Sequence, residues 1–246
     1  MAAVFLVLPL VALVWAAPLG SFWSTITTHE SLQALRLSVF TSTVAAAACV
    51  VLGLPLAWIL ARLDFPGRQI LRGLVTVPLV LPPVVAGVAL LSAFGRMGLI
   101  GKPLLDLWDI RIPYTTFAVV IAHTFVSLPF FVISVEGALR ATPKSLEVAA
   151  ATLGADRWTT FRRVTLPLAM PGVVAGVVLA WARSLGEFGA TITFAGNYPG
   201  TTRTMPLEVY TQLQGDQDTA TALSLVLLIV CIAVLVCLRE RWLGVR

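Results

Sequence analysis

Ionisable residues within apolar runs are the first candidates for chemistry in this sequence. Arg183 and Glu187 are four residues apart in one such run, so on a helix their side chains share a face and can neutralise each other. Charged groups inside a membrane are costly and are usually paired or face a cavity. The spacing predicts a structural ion pair or a lock at a gate, and it leaves open a direct role for Arg183 in passing an anion.

The other candidates for catalysis or metal binding are isolated from one another. His123 lies in an apolar run without a cluster of other ligands, which predicts a hydrogen-bonded interior histidine. The segment from Gly95 to Lys102 has the glycines of a P-loop one residue too far apart, and Pro103 replaces the serine or threonine of that motif. We therefore predict no catalytic residue, no metal site and no cofactor bound by this chain. ATP and Mg²⁺ would belong to a partner subunit.

Composition indicates that lipid, rather than water, surrounds the chain. Hydrophobic residues make up 58% and charged residues 12% of the sequence, and the mean hydropathy is +0.93. A soluble domain averages about 45–50% apolar and about 25% charged residues, so this chain cannot cover its surface with polar groups. Its net charge of +5 does not indicate nucleic-acid binding, because the basic residues flank hydrophobic runs as topology signals do.

Six apolar runs approach the ~20 residues that a helix needs to cross a bilayer. We predict one all-α integral membrane domain over residues 1–246, with six transmembrane helices at roughly 2–19, 37–61, 72–95, 115–138, 167–194 and 219–238. Pro78, Pro82 and Pro83 interrupt the third run. Because broken backbone at membrane depth is tolerated only beside protein or water, the third span is expected inside the bundle, as a packed kink or beside a cavity.

Basic residues are distributed unequally between the two sets of loops. The larger set lies in the 2–3 loop, the 4–5 loop and the tail: Arg62, Arg68, Arg72, Arg140, Lys144, Arg157, Arg162, Arg163, Arg239, Arg241 and Arg246. The smaller set is Arg36, Arg96, Lys102, Arg111 and Arg203. The positive-inside rule assigns the larger set to the cytoplasm. It therefore predicts a multi-pass inner-membrane protein with both termini cytoplasmic.

The 4–5 loop, residues 140–166, carries a helical pattern of its own. Apolar residues recur at helical spacing at Leu146, Ala149, Ala150 and Leu153. Gly154 follows at the position where a chain turns after a helix. The pattern predicts a short amphipathic helix that ends at this glycine.

A second short helix is predicted directly after the glycine. Asp156 can cap it, Trp158 and Phe161 lie on its apolar side, and Pro167 then opens the fifth span. A pair of amphipathic helices under the membrane can lie on lipid headgroups or dock in a groove of a partner protein. The residues alone leave both possibilities open.

The same loop resembles the EAA loop of binding-protein-dependent ABC importer permeases. That pattern is Glu-Ala-Ala, three residues, Gly, nine residues, an aliphatic residue, one residue and Leu-Pro. The matching residues are Ala149, Ala150, Gly154, Val164, Leu166 and Pro167. Val148 occupies the glutamate position, and Glu147 lies one residue earlier, about 100° away around a helix.

In that family the loop seats in the ATP-binding subunit and transmits its closure to the spans. The resemblance therefore implies cytoplasmic coupling helices between spans 4 and 5. It also implies a set of ATPase-docking residues: Glu147, Val148, Ala149, Ala150, Leu153, Gly154, Arg157, Trp158, Phe161, Leu166 and Pro167.

Residues 181–197 and 78–87 resemble the permeases of molybdate importers, with sulfate/thiosulfate permeases next in similarity. This likeness implies a type I ABC importer permease fold and a homodimer that pairs with two ATP-binding subunits and an extracytoplasmic oxyanion-binding protein. The implied substrate is a tetrahedral oxyanion, molybdate, with tungstate or sulfate as alternatives. Candidates for the translocation or gate region are Pro82, Pro83, Arg183, Gly186, Glu187 and Gly189.

Two other classes of membrane protein compete with this prediction. A stand-alone secondary transporter would need no ATPase and usually shows an internal repeat, which we do not find between the two halves. An integral-membrane enzyme would need a cluster of reactive side chains near one membrane face.

The outer 5–6 loop contains a possible short helix at Met205–Gln212 and is predicted to contact the binding protein.

Overall fold

The computed structural model describes residues 1–18, 20 and 22–243, without the side chains of residues 235 and 237–243. Leu19, the end of the first predicted span, and Arg246 lie outside the described residues, as do the side chains of Arg239 and Arg241. Within the described residues, every regular element is a helix. Its elements before the 4–5 loop are α1 (Ala2–Ala16), α2 (Phe22–Ile26), α3 (His29–Arg62), α4 (Arg68–Val80), α5 (Pro83–Phe94), α6 (Gly101–Trp108) and α7 (Thr116–Ala141).

The second half contains shorter helices between two long ones. Its elements are α8 (Lys144–Thr152), α9 (Arg157–Thr160), a π-turn (Phe161–Thr165), α10 (Leu166–Leu185), α11 (Gly189–Phe194), α12 (Met205–Gln212) and α13 (Gln217–Leu243). The short outer helix predicted at Met205–Gln212 is confirmed with the same bounds.

Four stretches of the described chain are long and apolar enough to cross a membrane: α3, α7, the continuous helix Arg157–Leu185, and Gln217–Val234 of α13. They correspond to the second, fourth, fifth and sixth predicted spans. The first predicted span is a helix of only 15 residues, α1, which is shorter than the ~20 residues of a full crossing. The described chain therefore has four uninterrupted spans, one bent helix pair and one short apolar helix.

The bent pair is the third predicted span. The chain bends by 119° between α4 and α5, with Leu81 and Pro82 extended between them. Pro83 removes a backbone donor, and the residue before a proline is disfavoured in helical conformation. Pro78, by contrast, lies within α4. The predicted interruption is confirmed, and its position is set by the Pro82–Pro83 pair.

The fifth span departs from its prediction at both ends. Its helix begins at Arg157, ten residues before the predicted start at Pro167, and it ends at Leu185. The chain then breaks at residues 186–188 and resumes as α11. The segment predicted as one span at 167–194 is therefore two helices, and the predicted second coupling helix is the first turn of a longer one.

Helix α7 occupies the centre of the bundle, between α3 and α10. Phe131 on α7 is fully buried. Its ring lies against two glycines, Gly53 on α3 and Gly176 on α10, where an added Cβ would come within 2.5 Å and 3.1 Å of ring carbons. Gly172 approaches Ala138 of α7 equally closely. These glycines let three helices pack at short range around one aromatic ring, because small residues allow close backbone approach.

Candidate functional site

The predicted turn at Gly154 has the geometry of a helix C-terminus closed by glycine. Gly154 has φ +87°, its N–H donates to Ala151 O at 3.0 Å, and Ala155 N–H donates to Ala150 O at 3.0 Å. This pair of bonds is the Schellman arrangement, which satisfies carbonyls at the end of a helix. The prediction that α8 ends at this glycine is confirmed.

Asp156 caps the next helix, as predicted. Its carboxylate accepts backbone N–H groups of Trp158 and Thr159, each at 3.3 Å. Hydrogen bonding to the Thr159 side chain, and then to these backbone groups, lowers the pKa of the Asp156 carboxyl. The carboxylate is therefore held in its charged form at the positive end of the helix.

The outer face of α8 is apolar and open to solvent. Leu146, Val148 and Leu153 are 44%, 61% and 89% exposed, and Ala149 is exposed beside them. Large apolar side chains exposed on a short polar loop mark an interaction surface more often than an ordinary protein surface. The predicted amphipathic stripe thus turns away from the bundle.

Glu147 points the opposite way, towards the bundle. Its Oε1 lies 2.7 Å from Nη2 of Arg62, at the end of α3, and accepts the Thr165 hydroxyl at 2.9 Å. Arg62 is only 7% exposed and also donates to Thr142 O at 3.2 Å. We call Arg62, Glu147, Thr142 and Thr165 the latch. It joins α8 to α3, to the end of α7 and to the π-turn.

The first turns of the fifth span pass through a π-turn. Leu166 N–H bonds to Phe161 O, five residues back. Pro167 follows directly and has no N–H, and in a regular helix its ring would clash with the carbonyl four residues earlier. The wider π-turn is a known means of accommodating such a residue. The helix can therefore run from the 4–5 loop to Leu185, a length of about 40 Å at 1.5 Å per residue.

A second cluster of charges braces the same end of the bundle. Glu136 Oε1 accepts Arg72 Nη2 at 2.6 Å and Arg140 Nε at 2.9 Å. The carbonyl of Leu60 accepts Arg68 Nε at 2.9 Å. These arginines come from the 2–3 loop and the 4–5 loop, so the structure places the basic residues of both predicted cytoplasmic loops at one end of the protein.

The opposite end of the bundle carries the 5–6 loop. Arg203 Nη1 lies 3.2 Å from Glu208 Oε2, and Arg203 Nε donates to Asn197 Oδ1 at 2.9 Å. Glu208 is 1% exposed, and Met205 N–H donates to Ser38 Oγ of α3 at 2.6 Å. The loop is thus fixed to the bundle by buried polar contacts.

The predicted gate residues lie where the third span bends and where the fifth span ends before α11. Arg183 Nη1 lies 2.6 Å from Glu187 Oε2, which confirms the predicted ion pair. Glu187 Oε1 also accepts Ala190 N–H at 2.9 Å, so the same carboxylate caps the start of α11. Gly186 lies at the end of α10, in the break between the two helices.

Glycine brings α11 onto α5 at this break. A Cβ on Gly189 would lie 2.5 Å from Pro83 Cβ, and a Cβ on Gly87 would lie 2.6 Å from Thr193 Cβ. Pro83, at the bend of the third span, therefore faces the start of α11. The bend of the third span thus lies beside the start of α11, although Pro82 and Pro83 themselves remain exposed in this single chain.

Buried polar side chains extend this region towards α7. Ser127 Oγ and Ser184 Oγ are 2.8 Å apart. His123 is 1% exposed, and neither ring nitrogen has a hydrogen-bond partner within the described residues. The predicted interior position of His123 is confirmed, but the predicted hydrogen bond is wrong.

Comparison with protein families gives a match over most of the chain. Residues 53–244 match the family described as binding-protein-dependent transport system inner membrane component. The matched range includes the 4–5 loop, the latch, the bend of the third span and α11. The chain belongs to this family. It is therefore a membrane component of a transport system and not an enzyme.

Relatives of this transport component cover nearly all of the chain. It is 56% identical over 227 residues to the molybdenum transport system permease protein ModB of Mycobacterium tuberculosis, with 92% of this chain and 86% of that protein covered. ModB of Escherichia coli is 43% identical, with coverages of 89% and 96%. The sulfate transport system permease protein CysT of E. coli is 40% identical, with coverages of 91% and 82%.

Solved structures show the same fold at low sequence identity. A chain of a bacterial ABC transporter that imports alginate matches with a TM-score of 0.78 and 18% identity, covering 98% of this chain and 91% of its own. The MetNI methionine ABC transporter in an inward-facing conformation matches with a TM-score of 0.68 and 18% identity, with coverages of 87% and 95%. The predicted type I ABC importer permease fold is confirmed.

Sequence reasoning about this transport component missed the latch and the Glu136 cluster as connected units. It also grouped Glu147 with residues that face outward, whereas the carboxylate faces inward. A signal was present, because Glu147 is offset by about 100° from Val148 on the same helix. Arg62 lies at the end of α3 and Arg72 near the start of α4, where Glu147 of α8 and Glu136 of α7 reach them.

Proposed function

We propose that this chain is the membrane-spanning permease subunit of an ATP-driven importer that moves molybdate inward. The observation that carries the proposal is its similarity, at 56% and 43% identity over about nine-tenths of the chain, to permeases named for molybdenum transport. A sulfate permease follows at 40% identity, so sulfate is the second candidate. Arg183 is neutralised by its ion pair with Glu187, so it would not hold a passing anion tightly.

The assembly we propose contains two copies of this chain, two ATP-binding subunits and an extracytoplasmic oxyanion-binding protein. The latch end of the bundle would face the cytoplasm, as would both termini, because basic residues concentrate there. The exposed face of α8, with Val148, Ala149 and Leu153, would seat in the ATP-binding subunit. ATP and Mg²⁺ would be held by that subunit. The 5–6 loop at the opposite end would face the binding protein.

The described contacts support a route for coupling. Closure of the ATP-binding subunits would displace α8, and the latch would carry that displacement to α3 and to the helix that begins at Arg157. This helix runs without a break to Leu185, beside the contact between α11 and α5. Motion at the cytoplasmic end would therefore reach the bend between α4 and α5 and the break between α10 and α11. At these two points the angle between neighbouring helices can change. Alternating access follows when they open outward with ATP bound and return after hydrolysis.

Gly154→Val is expected to uncouple uptake from ATP hydrolysis while the protein stays folded. A valine at φ +87° would be strained by about 1–3 kcal/mol, although nothing lies within 4 Å of the Cβ position. The strain would reorient α8 relative to α9. We expect uptake into proteoliposomes to fall at least tenfold while ATPase activity persists.

Gly137→Val is the matched control, because Gly137 also has open space around its Cβ position but no positive φ. It should leave the ratio of uptake to hydrolysis unchanged. Unchanged uptake in Gly154→Val would contradict the docking assignment.

The function itself is tested by vanadate-sensitive ATPase activity in proteoliposomes. The chain would be co-expressed with its ATP-binding subunit and titrated with binding protein loaded with molybdate or with sulfate. We expect stimulation by the molybdate-loaded form alone. Stimulation by the sulfate-loaded form would support the assignment as an importer and identify sulfate as its substrate. If no ATPase co-purified, a stand-alone transporter would replace the proposal.

A further inference from the structure

An apolar groove of about 510 Å³ lies between the last turns of α3 and the start of the helix at Arg157. Leu54, Trp58 and Ile59 form one wall, and Trp158 and Phe161 form the other. Phe161 lies edge-on to Trp58 with ring centroids 6.5 Å apart, and it stacks on Trp158 at 5.8 Å. Three aromatic rings therefore line one continuous apolar surface.

This groove is separate from the exposed face of α8, and it is lined by Arg157, Trp158 and Phe161, three residues that the family resemblance grouped with the ATPase-docking set. None of the exposed apolar residues of α8 lines it, and the Gly154 turn stands between the two surfaces. The wall on α3 belongs to a helix apolar enough to cross the membrane. The groove is thus continuous with the membrane-spanning surface, whereas the face of α8 lies on a loop outside it.

Three exposed arginines lie in the helical segment that forms one wall of the groove. Arg157 lines it and is exposed, and Arg162 and Arg163 follow Phe161 directly and are also exposed. Within the described residues these three side chains make no hydrogen bond or ion pair. The arginines of the latch and of the Glu136 cluster, at the same end of the bundle, are all paired. Of these three arginines, Arg157 lines the groove itself, so one cation without a protein partner lies directly beside the apolar walls.

We propose that the groove binds an acyl chain of an anionic phospholipid whose phosphate is bound by Arg157. Clustered arginines next to a membrane span attract anionic lipid headgroups, and tryptophan is enriched at the level of the headgroups. A guanidinium matches the geometry of a phosphate with two parallel hydrogen bonds. The apolar walls and the adjacent cations together complement an amphiphile better than they complement a water-soluble protein surface. Only the choice of leaflet rests on the orientation proposed above.

Native mass spectrometry of the full chain in detergent tests this inference. The protein would be titrated with dioleoyl phosphatidylglycerol or dioleoyl phosphatidylcholine at equal concentrations. We expect at least fivefold greater retention of phosphatidylglycerol, and we expect Arg157→Gln to remove most of that difference. Lys144→Gln is the matched control, since Lys144 is exposed on α8 but does not line the groove. It should retain the preference.

Quenching of tryptophan fluorescence tests the position of the acyl chain. Phosphatidylglycerol brominated in its acyl chains should quench the wild type more than Trp158→Phe, because Trp158 would contact the bromines. Equal retention of both lipids, equal loss in Lys144→Gln, or identical quenching in the two proteins would overturn the inference. Release of the lipid when the ATP-binding subunit binds would assign the groove to a protein interface instead. These readouts do not involve uptake, so they fail independently of the proposed transport function.

Discussion

Arg183→Ala is expected to destabilise the permease and impair transport without changing its preference among oxyanions. Glu187 is 1% exposed and uses one oxygen for Arg183 and the other for Ala190 N–H. Removing one partner of a buried ion pair costs about 3–5 kcal/mol, because the remaining charge stays desolvated. Arg183 is 29% exposed, which favours the lower end of that range. The start of α11, and with it the contact with α5, should loosen.

Thermal unfolding in detergent and uptake of molybdate and sulfate would measure this effect. We expect the unfolding temperature to fall by several degrees and both uptake rates to fall together. The double variant Arg183→Ala/Glu187→Gln is the control, since a neutral amide can still accept Ala190 N–H and should recover part of the stability. A stable Arg183→Ala protein with an altered molybdate-to-sulfate ratio would show instead that Arg183 contacts the anion.

Breaking the latch is expected to uncouple uptake from ATP hydrolysis as strongly as Gly154→Val does. In Arg62→Ala, Glu147 would lose the contact at 2.7 Å and α8 would remain tied to the bundle only through the Thr165 hydroxyl. The α8 helix could then move with the ATP-binding subunit without moving α3. We expect ATPase activity to persist and the number of oxyanions imported per ATP to fall at least tenfold.

A double-variant cycle identifies the latch as the cause. If Arg62 and Glu147 act through each other, Glu147→Ala should resemble Arg62→Ala, and the double variant should be no worse than either. Lys144→Ala, on the same helix, should couple normally. If Glu147→Ala weakened binding of the ATP-binding subunit while Arg62→Ala did not, Glu147 would contact that subunit directly and the latch would be wrong.

Much of the fold follows from local pattern. Long apolar runs predicted the spans because lipid requires them, Pro82 and Pro83 predicted the bend, and Gly154 predicted the turn because few other residues adopt its φ. The i, i+4 spacing of Arg183 and Glu187 predicted their ion pair. Each of these depends on residues close together in the chain, so the sequence alone contains the relevant physics.

The remaining features depend on packing between distant segments. Helical periodicity gives the angle between Glu147 and Val148, but only Arg62, 85 positions earlier in the numbering of the chain, decides which of them faces the bundle. The apolar run from Pro167 onward does not reveal that the helix stops at Leu185. The break at residues 186–188 lies beside the contact between α11 and α5, which joins segments that are distant in the sequence. The missing hydrogen-bond partner of His123 could not be predicted either, because any partner for its buried ring would have to come from another helix.

The π-turn at Phe161–Thr165 determines the rotational phase between the two ends of the long helix. One residue corresponds to about 100° of rotation in an α-helix. A single-residue deletion within this turn would leave both ends helical, yet it would rotate Arg183 away from its present orientation relative to Trp158. The number of residues in this segment therefore fixes the rotation between Trp158 and Arg183, whatever side chains it carries. Substitutions within the π-turn would preserve this rotational phase, whereas a change in the number of its residues would not.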